Sequence, residues 1–119
     1  MALRCLIVDD SEEFLLSATR LLESQGIEVV GSATSGADAL ELAAALEPDL
    51  ALVDVELRDE DGVALGNEIE ARVASTRVVL ISAYEWDEFA DVIGDSRAAG
   101  FLPKRDLGAA AIAGLLGSG

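Results

Sequence analysis

Five short apolar runs recur along the chain, Leu3–Val8, Ile27–Val30, Leu50–Val53, Val78–Ile81 and Gly100–Leu102, with helical spacing between them. No other feature constrains the fold as tightly. Most of the runs are apolar without strict alternation, as strands covered on both faces are, so they predict a parallel sheet. Phe14, Leu15, Ala18, Leu21 and Leu22 form one helical stripe, opened by Ser11 with Glu12 and Glu13 and ended by Gly26. Ala37, Leu40 and Ala44 predict a second helix ending near Pro48, Val63–Val73 a third, and Trp86, Ala90 and Ile93 a fourth. Asp106 is expected to cap a fifth, weakened by Gly108 and Gly114, each of which costs ~1 kcal/mol relative to Ala. Strict strand–helix alternation calls for right-handed crossovers and a sheet enclosed between helix layers. The expected class is therefore α/β, a doubly wound five-stranded parallel sheet of order 2-1-3-4-5.

Size and charge narrow the function classes. A chain of 119 residues with 51% hydrophobic residues supplies one core, so residues 1–119 are read as one domain. Eight Lys+Arg against 23 Asp+Glu leave a net charge of −15, and the scattered arginines form no basic patch. Such a surface repels phosphate backbones and anionic lipid, which excludes direct nucleic-acid or membrane-surface binding by this segment. With Cys5 as the single cysteine and no His, an internal disulfide and the usual transition-metal ligand sets are excluded. No apolar run approaches the ~20 residues of a membrane span, and no cleavable leader is evident at Met1. A cytoplasmic protein is expected.

In a doubly wound sheet the ligand sits beyond the carboxyl ends of the strands, where strand order reverses. Asp9–Asp10 follow the first run, Asp54 the third, Ser82 the fourth and Lys104 the fifth; the second ends in Gly31–Ser32 on the far side of the crevice. Three carboxylates at adjacent strand ends repel one another unless a cation sits among them or a pKa rises. Oxygen-only ligands select a hard divalent ion, for which Mg²⁺ is the natural candidate. Lys104, the only lysine, offers a compact ammonium, and Ser82 adds a hydroxyl. Together these groups predict a phosphoryl-accepting site in which Asp54 attacks phosphorus while Mg²⁺, Lys104 and Ser82 neutralise the equatorial oxygens.

The same residues carry a resemblance over essentially the whole chain. Asp9–Asp10, Asp54 with Asp61–Gly62 downstream, Ser82–Ala83 and Gly100-Phe101-Leu102-Pro103-Lys104 resemble the receiver domains of two-component response regulators. The resemblance implies a flavodoxin-like three-layer sandwich. It also implies that a histidine kinase or phosphotransfer protein phosphorylates Asp54, and that Asp10, Asp54 and the Glu56 carbonyl hold Mg²⁺ with Asp9 acting through water. Ser82, Ala83 and Phe101 would be the switch, Lys104 a phosphoryl ligand, and Glu56 and Tyr84 modulators of water access. Phosphorylation would reshape the face made by the fourth helix, fifth strand and fifth helix, with an activation-dependent homodimer as one output. By the same resemblance the chain is either a single-domain regulator or the N-terminal part of a longer one whose effector domain, DNA-binding or otherwise, follows.

Departures from the commonest pattern are Ser82 for Thr, Phe101 for Tyr, Arg105 after Lys104 where Pro is common, and an unusual Arg58-Asp59-Glu60 loop expected to make the entrance more acidic. Without that Pro, a cis peptide after Lys104 would cost ~2.5–4 kcal/mol. Taken singly, the site residues have plainer readings: Asp9–Asp10 as a helix cap, Asp54 as a turn residue, Ser82 as a capping hydroxyl, Lys104 as a solvated cation and Phe101 as core. Their joint position at strand ends favours the site. The alternative function is a receiver-like interaction domain that keeps the fold without the phosphate switch. A hydrolase acting on external substrates is disfavoured because Asp54-Val55-Glu56 lacks a paired Asp-x-Asp.

Overall fold

The computed structural model describes residues 2–57, 60–83 and 98–116. Five parallel strands form the sheet: β1 (Arg4–Val8), β2 (Glu28–Ala33), β3 (Leu50–Asp54), β4 (Arg77–Ser82) and β5 (Gly100–Pro103). Their spatial order is β2-β1-β3-β4-β5, the order expected. Helices α1 (Glu12–Ser24), α2 (Gly36–Leu46), α3 (Gly62–Arg72) and a C-terminal helix (Ala109–Leu116) cover it. The predicted Trp86 helix and Tyr84 lie outside the described residues. Among the described residues no helix is long and apolar enough to cross a membrane.

The uninterrupted apolar runs are explained by two cores, one on each face. Alternate side chains along each central strand divide between them. Leu6, Val8, Ala51, Val53, Val78 and Leu80 face α2 and α3, where they meet Ala39, Ala43, Val63, Leu65 and Ile69. Cys5, Ile7, Leu50, Leu52, Val79 and Ile81 face α1 and the C-terminal helix, where they meet Leu15, Ala18, Leu22 and Ile112. Fully burying one such aliphatic side chain contributes about 1.5–3 kcal/mol, so both helix layers are held by the sheet rather than by helix propensity.

Strand ends differ from the apolar runs in ways that matter for the site. β3 extends to Asp54 and β4 to Ser82, because ladder hydrogen bonding continues past the last apolar residue: Val55 N–H donates to the Ile81 carbonyl at 2.9 Å. β2 runs through Gly31 and Ser32 to Ala33, with a register shift against β1 between Cys5 and Leu6. A two-residue antiparallel ladder, Glu56–Leu57 against Glu60–Asp61, follows β3 and was not predicted.

Asp106 does not cap the last helix. It closes a 3₁₀ turn over Lys104–Asp106, and the helix begins only at Ala109. Gln25, at the far end of α1, supplies the cap instead, its Oε1 accepting the Ala109 N–H at 2.6 Å. No cis peptide bond occurs among the described residues.

Candidate functional site

The site is assembled by the same local bonds that start the helices. Leaving β1, Asp9 Oδ1 accepts the Ser11 N–H at 2.8 Å, and Ser11 Oγ accepts the Phe14 N–H at 3.2 Å as the N-cap of α1. Asp9 is therefore a capping residue and a site residue at once, since only one of its oxygens is needed for the turn. At the end of β3, Asp54 Oδ1 accepts the Glu56 N–H at 3.0 Å, which leaves Oδ2 turned toward Lys104. Downstream, Asp61 Oδ1 accepts the Val63 and Ala64 N–H groups at 2.9 and 3.2 Å and starts α3.

Gly62 lies against the acceptor strand itself. A Cβ at that position would lie 1.8 Å from the Asp54 carbonyl oxygen, so the contact excludes every residue but glycine on steric grounds alone. The Gly62 N–H donates to the Val55 carbonyl at 3.0 Å, fixing α3 to the strand end.

One carboxylate oxygen from each of Asp9, Asp10 and Asp54 lies within 4.8 Å of the others. Asp9 is fully buried, Asp54 is buried and Asp10 half-buried. Lys104 reaches in from the end of β5, its Nζ 2.5 Å from Asp9 Oδ2 and 3.4 Å from Asp54 Oδ2. Its third neighbour is the Phe14 ring, whose centroid lies 4.3 Å from Nζ. Burial, with the neighbouring Asp9 charge, outweighs the Glu56 N–H and Lys104 and pushes the Asp54 carboxyl up to about 6. Lys104 moves the other way in stability terms: burial disfavours its charge, but the close Asp9 carboxylate and the Asp54 charge prevail and raise its pKa.

These observations fit a hard divalent cation. The donors are all oxygen, and Asp54 is held partly against ionisation by burial, to which the Asp9 charge adds. Asp9 Oδ2 is buried and accepts no aligned hydrogen bond although the Lys104 ammonium touches it. Asp9, Asp10, Asp54 and the backbone at Glu56 are the groups that could hold such an ion.

The remaining sequence candidates fall around this cluster. Ser82 is fully buried at the end of β4, one residue beyond the Ile81 that pairs with Asp54, and it pairs in register with Pro103, next to Lys104. Ala83 follows it and is exposed. Phe101 is half-buried in β5 and packs on the α2–α3 side of the core. The Glu56 side chain is exposed. Glu60 does not simply add negative charge to the entrance, because its two oxygens accept the Gly36 N–H at 3.0 and 3.1 Å and cap α2. Arg58 and Asp59 lie outside the described residues. Phe14 is the residue that sequence reasoning missed. Its spacing places it in the core stripe, and only the N-cap at Ser11, which sets it on the first turn, hints that it stands beside the site.

Comparison with known proteins follows the same outline. Residues 5–111 match the response regulator receiver domain family. Among curated relatives, a protein-glutamate methylesterase/protein-glutamine glutaminase of Alkalilimnicola ehrlichii is 38% identical over 88% of this chain and 27% of its own length. The response regulator GacA of Pseudomonas aeruginosa is 32% identical over 86% of this chain and 48% of its own. The chain thus spans less than two-thirds of the length of these relatives. Among solved structures, the signal receiver domain of the response regulator NarL from Mycobacterium tuberculosis superposes with a TM-score of 0.76 at 36% identity, covering 89% of this chain and 86% of that one. A Burkholderia pseudomallei response regulator with a phosphorylated aspartic acid and a calcium ion superposes with a TM-score of 0.82 at 26% identity, over 95% of this chain and 66% of that one. With carboxylates gathered at the strand ends of a 2-1-3-4-5 sheet and a family match over nearly the whole chain, the chain belongs to the response regulator receiver domains.

Proposed function

We propose that Asp54 is the phosphoacceptor of this receiver domain. The observation that carries the reading is the convergence of the Asp9, Asp10 and Asp54 carboxylates within 4.8 Å, with the Lys104 ammonium touching two of them. Asp54 Oδ1 is fixed by the Glu56 N–H, so Oδ2 is the nucleophile. It forms a bond to phosphorus while the bond from phosphorus to the donor nitrogen of a phosphohistidine, or to the leaving oxygen of a small acyl phosphate, breaks with its electron pair retained by the donor. Lys104 and Ser82 receive the phosphoryl oxygens. Lys104 already lies 3.4 Å from Oδ2, so a short swing away from Asp9 suffices.

Receiver domains bind Mg²⁺ through acidic residues, and here Asp10, Asp54 and the Glu56 carbonyl would hold it, with Asp9 acting through water. When bound, the ion supplies charge neutralisation for the carboxylates and the incoming phosphoryl oxygens. Ser82 moving toward the phosphoryl group, room at Ala83 and reorientation of Phe101 form the switch; Glu56 and Tyr84 govern water access to the acyl phosphate. Residues 1–119 act as one domain, which takes its phosphoryl group from a histidine kinase or phosphotransfer protein and controls an effector domain in a longer regulator. The chemistry is confined to Asp54, with no external substrate, and the address is cytoplasmic. The intact acidic cluster and Lys104 favour this reading over an interaction domain without a phosphate switch.

Incubation with acetyl phosphate or beryllofluoride tests the assignment. Adduct forms on the native chain only with Mg²⁺ and fails in Asp54→Asn. Adduct that persists in that variant, or that ignores chelation, overturns it.

A further inference from the structure

We propose that Phe14 is a positioning residue for phosphoryl transfer, its ring face holding the Lys104 ammonium between Asp9 and Asp54. The proposal rests on Asp54 as acceptor and Lys104 as phosphoryl ligand. The geometry forms a closed circuit. Asp9 Oδ1 accepts the Ser11 N–H, Ser11 Oγ accepts the Phe14 N–H, the Phe14 centroid lies 4.3 Å from Lys104 Nζ, and Nζ returns to Asp9 Oδ2 at 2.5 Å. The Ser11 side-chain cap that starts α1 thus also sets where the ring stands.

An ammonium is strongly hydrated and sits on a flexible four-carbon stem, so by itself it turns toward water. Here only 21% of the Lys104 side chain is exposed. Two of its neighbours are carboxylate oxygens; the third is the negative face of an aromatic ring, which attracts a cation as a purely aliphatic wall would not. The ring therefore replaces part of the lost hydration without forming a bond that would have to be broken when Lys104 swings to a phosphoryl oxygen. The residues in direct contact with the reacting atoms remain Asp54 and Lys104; Phe14 acts through the lysine.

The competing account is that Phe14 only packs against the α1-side core, which it also touches. Size-preserving substitution separates the two. Phenylalanine analogues with increasing ring fluorination keep the shape and drain the negative face, so the rate of acetyl-phosphate labelling at saturating Mg²⁺ should fall stepwise along the series while the denaturation midpoint stays nearly constant. Phe14→Leu should lose about three- to tenfold in that rate, and Phe14→Tyr should retain it. Because Lys104 is the only lysine, its ε-methylene proton resonance can be observed singly; ring-current shielding should displace it upfield in the resting protein and vanish in Phe14→Leu. A flat rate across the fluorinated series, or an undisplaced lysine resonance in the native chain, overturns the proposal. If the native chain forms no adduct, the acceptor assignment fails and this role fails with it, whereas normal Asp54 labelling with a flat series rejects Phe14 alone.

Discussion

Asp54 is buried among negative charge, and its carboxyl titrates near 6 in the folded chain against an ordinary 3.8. The folded form therefore keeps a proton that the unfolded form gives up. Stabilisation from that proton is complete below about pH 4 and is lost as pH rises through about 6, so metal-free stability should fall across that window. Asp54→Asn removes the liability and should stabilise the metal-free protein at pH 7 by about 2–3 kcal/mol, with the gain shrinking toward pH 4. Lys104→Met should act in the opposite direction, because it leaves the buried Asp9 without its counter-charge. Mg²⁺ should restore part of that loss, and a ligand at ten times its Kd adds ~1.4 kcal/mol. Urea titrations at several pH values with and without Mg²⁺ check all of these; equal pH profiles for the native chain and Asp54→Asn would contradict the burial argument. At this scale the candidate acids and Lys104 were legible in the sequence because each follows an apolar run. Phe14 was not, since an aromatic on a core stripe carries no sign of the cation beside it.

The joints between helices and strands carry the next set of consequences. At Gly62 an added methyl would meet the Asp54 carbonyl at 1.8 Å, backbone against backbone, where neither side can rotate away. Gly62→Ala should therefore cost at least the ~1–3 kcal/mol typical of overpacking, and by shifting the strand end it should also depress beryllofluoride binding. Gln25→Ala should cost about 1 kcal/mol, the usual worth of an N-cap, and the loss should be local: faster amide exchange across Ala109–Ile112 with β1 and β3 unchanged. Uniformly faster exchange would show instead that the terminal helix is part of one cooperative unit. The Gly26 stop of α1 was legible because a positive φ of 91° suits glycine. The Gln25 cap was not, because its partner lies 84 residues away and no local pattern announces a tertiary cap. Asp106 has the local signature of a cap, and the 3₁₀ turn after Pro103 overrides it. Likewise Glu60 reads as one more acid in a loop until the fold brings Gly36 beneath it.

For the whole molecule, strand order followed from the sequence because alternation and crossover handedness leave few topologies, and because both sheet faces are covered as the apolar runs require. The net charge of −15 opposes any encounter between two copies. Dimerisation should thus be conditional: sedimentation should show a monomer without beryllofluoride and a dimer with it, strengthened by moderate salt that screens the repulsion. A monomer under all four combinations would favour a different protein as the target of the activated face. The separation of Lys104 from the acids in the chain has a consequence for biosynthesis. Lys104 follows Asp54 by 50 positions, so at ~5–20 residues per second the ribosome delivers the lysine about 3–10 s after the last of the three site carboxylates. During that interval β1 and β3 are already available to pair, and pairing them gathers three acids with no protein cation to offset them. Emergence of β5 brings Lys104 against Asp9 and Asp54 and eases that imbalance, so this corner takes its native form only after most of the sheet has been made.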